Sequence, residues 1–137
     1  MASATFADTV TISNKQLWIS RVLSGLAILF LAVDTGGKLL QIQPAVEGTA
    51  QLGFPAHALW TIAFCELLCL VTYLTPRSAV LGAILWTGYL GGAIATHVRM
   101  DAPLFSHTLF PVYVAALLWG GLYLREPRLR ALLPLRD

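Results

Sequence analysis

Leu26-Ala27-Ile28-Leu29-Phe30-Leu31-Ala32-Val33-Asp34-Thr35-Gly36-Gly37-Lys38 decides the fold, because eight unbroken apolar residues run into an acid and, four positions later, a base. Extended back to Leu17, the stretch has the roughly 20 residues that a helix needs to cross a bilayer core of about 30 Å. An acid followed at i+4 by a base places both on one helical face, in the order that favours an ion pair. Charges at membrane depth are expensive, so they face a bundle interior, pair, and mark a site. The predicted helix is therefore both a span and the carrier of chemistry.

Three further stretches have the same character: 56–74, 79–98 and 104–124. With 57% hydrophobic and 12% charged residues and a mean hydropathy of +0.72, the 137-residue chain is too apolar for a soluble domain of its size. Lipid tolerates helices or closed barrels, and none of these runs shows the alternation of barrel strands. The expected fold is all-α: a four-transmembrane-helix bundle of spans 17–38, 56–74, 79–98 and 104–124. An arm at 1–16 precedes it and a basic interfacial tail at 125–137 follows. Lys15 and Arg21 ahead of the apolar core resemble a secretion signal, but no small-residue cleavage pattern follows, so the first span is read as retained.

Placing both termini in the cytoplasm puts Lys15, Arg21, Arg77, Arg125, Arg128, Arg130 and Arg136 on the inner side and only Lys38 and Arg99 on the outer, a positive-inside bias. Trp18, Tyr73, Trp119 and Tyr123 then fall at the inner interface and Trp60 at the outer, while Trp86 lies mid-span. Basic residues beside span ends suit anionic lipid headgroups, and no nucleic-acid footprint is present. Pro44 and Gly53 bracket a short surface helix in the first outer loop, where Glu47 and Gln51 either close over a ligand or face water. Thr75-Pro76-Arg77-Ser78 is a tight inner turn with Ser78 as helix cap, making the second and third spans antiparallel neighbours.

The polar residues converge by depth. Asp34 and Lys38 lie near the outer end of the first span, and Glu66 is roughly 14 Å into the second. Thr96, His97 and Arg99 reach the outer rim from the third, and Ser106 and His107 from the fourth. The stripe His97, Ala93, Leu90, Trp86 gives a pocket with His97 at its mouth and the Trp86 indole as inner wall, with Tyr89 and Thr96 as further ligand contacts. His107, Pro111, Val114 and Leu118 form the matching stripe of the fourth span. Gly88, Gly92 and Ala95 form a separate small-residue stripe suited to close helix contact.

Each site residue has a plainer reading. Asp34 with Lys38 is also a neutralised anchor whose lysine reaches water. Glu66 is also an acid donating one interhelical hydrogen bond, and His97 and His107 are also interfacial histidines. Cys65 and Cys69 read as packing residues rather than a redox pair. Asp34, Glu66, His97 and His107 are competent metal ligands, but their spacing matches no metal signature, and no cofactor is assigned.

The polar and apolar positions together give a family resemblance. Residues Arg21 to Leu40 with Asp34 and Lys38, Val46 to Pro55, Ala79 to Arg99 with Thr87-Gly88-Tyr89-Leu90-Gly91-Gly92 and Thr96-His97, and Pro103 to Arg125 resemble the DoxX-like family of small bacterial membrane proteins. The resemblance implies a four-helix fold in the bacterial inner membrane and a family named after a subunit of a quinone-linked sulfur oxidoreductase. It carries no catalytic motif. Three functions follow as expectations. The first is a binding or redox-accessory module holding a quinone or other lipophilic small molecule among Asp34, Lys38, Glu66, His97 and His107. The second is an acid/base enzyme performing isomerisation, cyclisation or epoxide ring opening, with Glu66 as general acid. The third is a structural or interaction protein. A chain this short has little room to cover its own site, which suits a homo-oligomer.

Overall fold

The structure, a computed structural model, describes residues 11–133, and all its regular elements are helical. Residues 1–10 of the expected arm, and Pro134 and Arg136 of the expected tail, lie outside the described residues. The elements are α1 (Asn14–Leu39), α2 (Gln43–Gln51), α3 (Ala58–Leu74), α4 (Ala79–Arg99), a π-helical turn (Leu104–Thr108), α5 (Phe110–Arg125) and α6 (Pro127–Leu132). Asn14–Leu39, Ala79–Arg99 and the 22-residue stretch Leu104–Arg125 are long and apolar enough to cross a membrane; α3 is apolar but shorter, at 17 residues. The chain is a membrane helical bundle.

α1 starts three residues before the expected span because Ser13 and Gln16 cap it reciprocally. The Ser13 hydroxyl accepts from the Gln16 N–H at 3.2 Å, and the Gln16 side chain accepts from the Ser13 N–H at 3.3 Å. Its buried face is Ser20, Ser24, Ala27, Leu31 and Thr35, at steps of three and four, while Leu26, Leu29 and Val33 are exposed. Small residues at one end of this face let α5 approach closely. A Cβ on Gly121 would come within 2.1 Å of Ser24 Oγ. On the other side of the bundle, a Cβ on Gly82 would meet the Tyr73 backbone nitrogen at 2.3 Å, so α3 and α4 touch backbone to backbone. Packing runs from α1 to α3, to α4, to α5 and back to α1 around a core that includes Leu31, Leu70, Trp86, Leu90, Leu118 and Leu122. The exposed apolar side chains, Leu29, Val33, Phe64, Leu68, Leu81 and Ile84 among them, give the bundle an apolar outer surface suited to a hydrocarbon surround.

Several expectations are corrected here. The small-residue stripe is not a helix contact within this chain: no heavy atom lies within 4 Å of a Cβ built on Gly88 or Gly92, and Gly82 and Gly121 make the close approaches instead. Ser78 stands at the N-cap of α4, its carbonyl accepting from the Gly82 N–H at 2.8 Å, but its side chain makes no capping bond; the hydroxyl donates instead to the Thr72 carbonyl at 2.9 Å, closing the end of α3. Tyr73 is buried in the core rather than placed in an interfacial belt. The fourth apolar stretch is not one continuous α-helix. Pro111 lacks an N–H for the helical ladder, and the chain ahead of it widens into the π-turn, where the Leu109 N–H bonds the Leu104 carbonyl at 2.8 Å.

α1, α2 and α4 end alike. Gln41, Gly53 and Asp101 adopt left-handed backbone (φ 52°, 82° and 52°). The following N–H groups of Ile42, Phe54 and Ala102 reach back to the carbonyls of Gly37, Thr49 and His97. These paired six-to-one and five-to-two bonds satisfy the terminal carbonyls without side chains. Gly37 leaves room for the first turn, since a Cβ there would meet Ile42 Cδ1 at 3.0 Å and the isoleucine would have to give way. At this end of the bundle α2 is folded back against α1.

Candidate functional site

The ends of α1 and α4 meet the first half of α3 beside α2. Asp34 and Lys38 occupy the last turns of α1, and the Lys38 ammonium donates to Asp34 Oδ2 at 2.6 Å. The same ammonium donates to Glu66 Oε1, which also accepts from the Tyr89 hydroxyl. One carboxyl oxygen on α3 thus joins a lysine from α1 to a phenol from α4. Glu66 is the ninth residue of α3, about 12 Å from its start. Its side chain is 0% exposed, against 14% for Lys38 and 38% for Asp34. Depth therefore increases along Asp34, Lys38 and Glu66. A buried ionisable pair persists only where hydrogen bonds compensate lost hydration, and the phenol supplies one.

Two connected cavities open above this cluster, about 310 and 420 Å³ in volume. Lys38, Thr49, Leu52, Tyr89, Ala93 and His97 line both, so they are two lobes of one space beneath α2. The first lobe continues along α3 and α4 past Ile62, Gly88, Gly92 and Thr96. The second continues between α1 and α5 past Phe30, Asp34, His107, Phe110 and Val114. Phe30 and Phe110 meet edge to face at 5.0 Å, bracing that wall. The combined space suits a small lipophilic molecule met by a few placed polar groups.

His97 and His107 approach across the mouth, ring centroids 6.0 Å apart. His107 is exposed, and its Nδ1 lies 2.8 Å from the Ser106 hydroxyl. His97 Nδ1 is shielded from solvent and has no partner among the described residues; neither has Glu66 Oε2. Among the described residues no group of three His, Cys, Asp or Glu side chains is arranged to hold a metal ion.

The structure thus brings together Asp34, Lys38, Glu66, Tyr89, Thr96, His97 and His107. Three placements differ from the sequence expectations. Glu66 lines neither lobe; it sits behind Lys38 and Tyr89 and reaches the cavity through them. Trp86 is 0% exposed and stands behind Tyr89, ring centroids 5.5 Å apart, rather than forming the wall itself. Glu47 is turned outward, accepting from Gln43 at 2.7 Å, and Thr49 one half-turn on lines the cavity in its place. The lid helix is fixed from α4: Arg99 Nη2 donates to the Leu52 carbonyl at 2.9 Å.

A second polar network, at the opposite end of the bundle, was not anticipated from sequence. Ser20 donates to the Gly121 carbonyl at 2.6 Å and Tyr73 to the Leu118 carbonyl at 2.9 Å. Arg125 donates to Ser24 at 3.2 Å, with its guanidinium 5.5 Å from the Tyr73 ring centroid. The available signal was the i, i+4 pair Ser20 and Ser24, which reads equally well as small packing residues. This network joins α1, α3 and α5 through buried hydrogen bonds, which fixes their register.

A family model described as the DoxX-like family matches residues 22–121, a segment that contains the whole cluster and both histidines. Searches among curated proteins and solved structures gave no match.

Proposed function

This chain is a member of the DoxX-like family, and from that membership and the cluster beneath α2 we propose that it binds a lipophilic small molecule of the quinone class in a polar intramembrane pocket, as an accessory to a redox partner. The observation that carries the reading is the single Glu66 oxygen held by both Lys38 and Tyr89 at the floor of an apolar cavity. With two of its protons engaged by carboxyl groups, Lys38 keeps a third for a ligand. His97, which lines both lobes from α4, brings its imidazole to the mouth as a second hydrogen-bonding point. A flat ring with two carbonyl acceptors matches one donor at the floor and another at the mouth, and the Phe, Leu and Val walls match its hydrocarbon parts.

The recessed position of Glu66 favours binding over acid catalysis by that residue. A general acid must come within hydrogen-bond reach of the group it protonates, whereas Glu66 stands behind the wall and acts by orienting Lys38 and Tyr89. The accompanying topology is four crossings with both termini in the cytoplasm of a bacterial inner membrane. It is supported by Lys15, Arg21, Arg77, Arg125, Arg128 and Arg130 at the end opposite the cavity. Titration of purified protein with a water-soluble benzoquinone, read by quenching of the buried Trp86 beside Tyr89, tests the proposal. Lys38→Met loses the donor to the ligand and weakens binding by about tenfold, and Tyr89→Phe, which loses the hydroxyl that holds Glu66 beneath that lysine, weakens it less. Saturable binding unchanged in both variants, or no binding in the unmodified protein, refutes it.

A further inference from the structure

The two lobes differ in what bounds them. The second is edged by Asp34, Gln51 and His107 and carries polar groups along its length. Beyond the shared residues the first presents Ile62, Phe54, Gly88 and Gly92, with Thr96 as its one further side-chain hydroxyl. Gly88 and Gly92 line this lobe and are exposed, with no heavy atom within 4 Å of a Cβ built on either. At those positions the lobe is bounded by bare backbone and stands open to the surroundings. The surroundings are hydrocarbon, because the neighbouring exposed side chains on α3 and α4 are Phe64, Leu68, Leu81 and Ile84. The polar floor of Lys38 and Tyr89 lies at the inner end of the same passage.

We propose that the ligand is a tailed amphiphile drawn from the bilayer, its polar head over Lys38 and Tyr89 and its hydrocarbon tail leaving between α3 and α4 across Gly88 and Gly92. This rests on the binding reading above and adds the ligand's class and its route. A tail laid across two glycines contacts backbone on one side and lipid on the other, so it stays in hydrocarbon along its whole length. A water-borne ligand without a tail has no use for this lobe. The glycines set specificity by the side chains they omit, and any bulky residue there rebuilds the missing wall.

The test compares Gly88→Leu and Gly92→Leu with Gly91→Leu in the full chain in nanodiscs. Gly91 is on the same helix, exposed and free of neighbours within 4 Å, but lines neither lobe. All three changes raise helix propensity, and a Cβ at each position has no heavy atom within 4 Å, so the fold is expected to be retained in each, which thermal unfolding of the three variants checks. Two probes are used: a benzoquinone with a decyl tail, compared with the same ring lacking it, and a phospholipid with a diazirine at the end of one acyl chain. The expected result is a loss of about tenfold in affinity for the tailed quinone in Gly88→Leu and Gly92→Leu, equivalent to about two methylenes removed from contact. The tailless ring keeps its affinity, and Gly91→Leu changes neither. Photolabelling by the phospholipid reaches Ile62 and Ala93 in the unmodified protein and in Gly91→Leu, and is lost in the other two. If neither quinone binds but that labelling pattern holds, the passage stands and the quinone reading falls. If quinone binds, and the lining substitutions leave tailed affinity and labelling unchanged or match Gly91→Leu, the passage falls and the binding reading stands.

Discussion

Replacing Lys38 by Met removes the one cation that reaches Glu66 among the described residues. At an exposed site such a loss is small, about 0–1 kcal/mol. Here the carboxyl partner is 0% exposed and the lysine side chain 14%, and breaking a buried pair from one side costs about 3–5 kcal/mol because the other member is left without its counterpart. Asp34 takes little of the loss, since at 38% exposure it recovers hydration. The cost should therefore trace to Glu66, and removing that group as well should recover most of it: Lys38→Met with Glu66→Gln leaves an amide oxygen that still accepts from Tyr89. The assay is reversible unfolding in mixed detergent with increasing dodecyl sulfate, run as a double-mutant cycle. The expected outcome is Lys38→Met destabilised by about 3–5 kcal/mol and the double variant within about 1–2 kcal/mol of the unmodified protein. A single variant within 1 kcal/mol of the unmodified protein, or a strictly additive double, would show that lysine and acid are not a buried unit.

Gly82→Ala should prevent the backbone contact with Tyr73 and destabilise the protein by about 1–3 kcal/mol, whereas Gly91→Ala, with open space around it, should be neutral or slightly stabilising; equal effects in the same unfolding assay would refute the close approach. Tyr73→Phe deletes the donor to the Leu118 carbonyl and the contact with Ser24 at 3.3 Å, at a cost of about 1–2 kcal/mol with quinone affinity unchanged. Loss of binding there would mean that the two polar networks communicate. Arg99→Gln releases the carbonyl of Leu52, and cleavage in the Gln51 to Phe54 connection should accelerate under limited proteolysis; unchanged cleavage would show that α2 is held by packing alone.

The pairing of Asp34 with Lys38 was legible because i, i+4 spacing fixes geometry within one helix, and the gathering of Glu66, His97 and His107 at one end followed from counting residues into each span. What depth alone does not give is rotation. Glu66 has the right depth, but its position behind Tyr89 depends on how α3 and α4 turn about their axes, which the backbone contact at Gly82 sets. The stripe of Gly88, Gly92 and Ala95 shows the same difficulty: small residues at helical spacing announce a bare face, and nothing in the spacing says whether a helix, a cavity or lipid lies against it. Tyr73 misled because an aromatic near a span end usually sits in the interface, and its burial depends on the Leu118 carbonyl of α5, more than forty residues away. Membership of the DoxX-like family was legible because polar and apolar positions matched together along most of the chain.

The cluster at and beneath the cavity floor draws one side chain from each of three helices, so no single helix contains it. Occupancy then reads out assembly: a compound that binds the finished site and not the separated helices adds about 2.7 kcal/mol to the native state at a hundred times its dissociation constant. That is comparable with the expected damage from Gly82→Ala. A fitting amphiphile supplied in the growth medium would act as a pharmacological chaperone, raising the yield of such impaired variants, and a yield screen of that kind would find ligands without any assay of turnover.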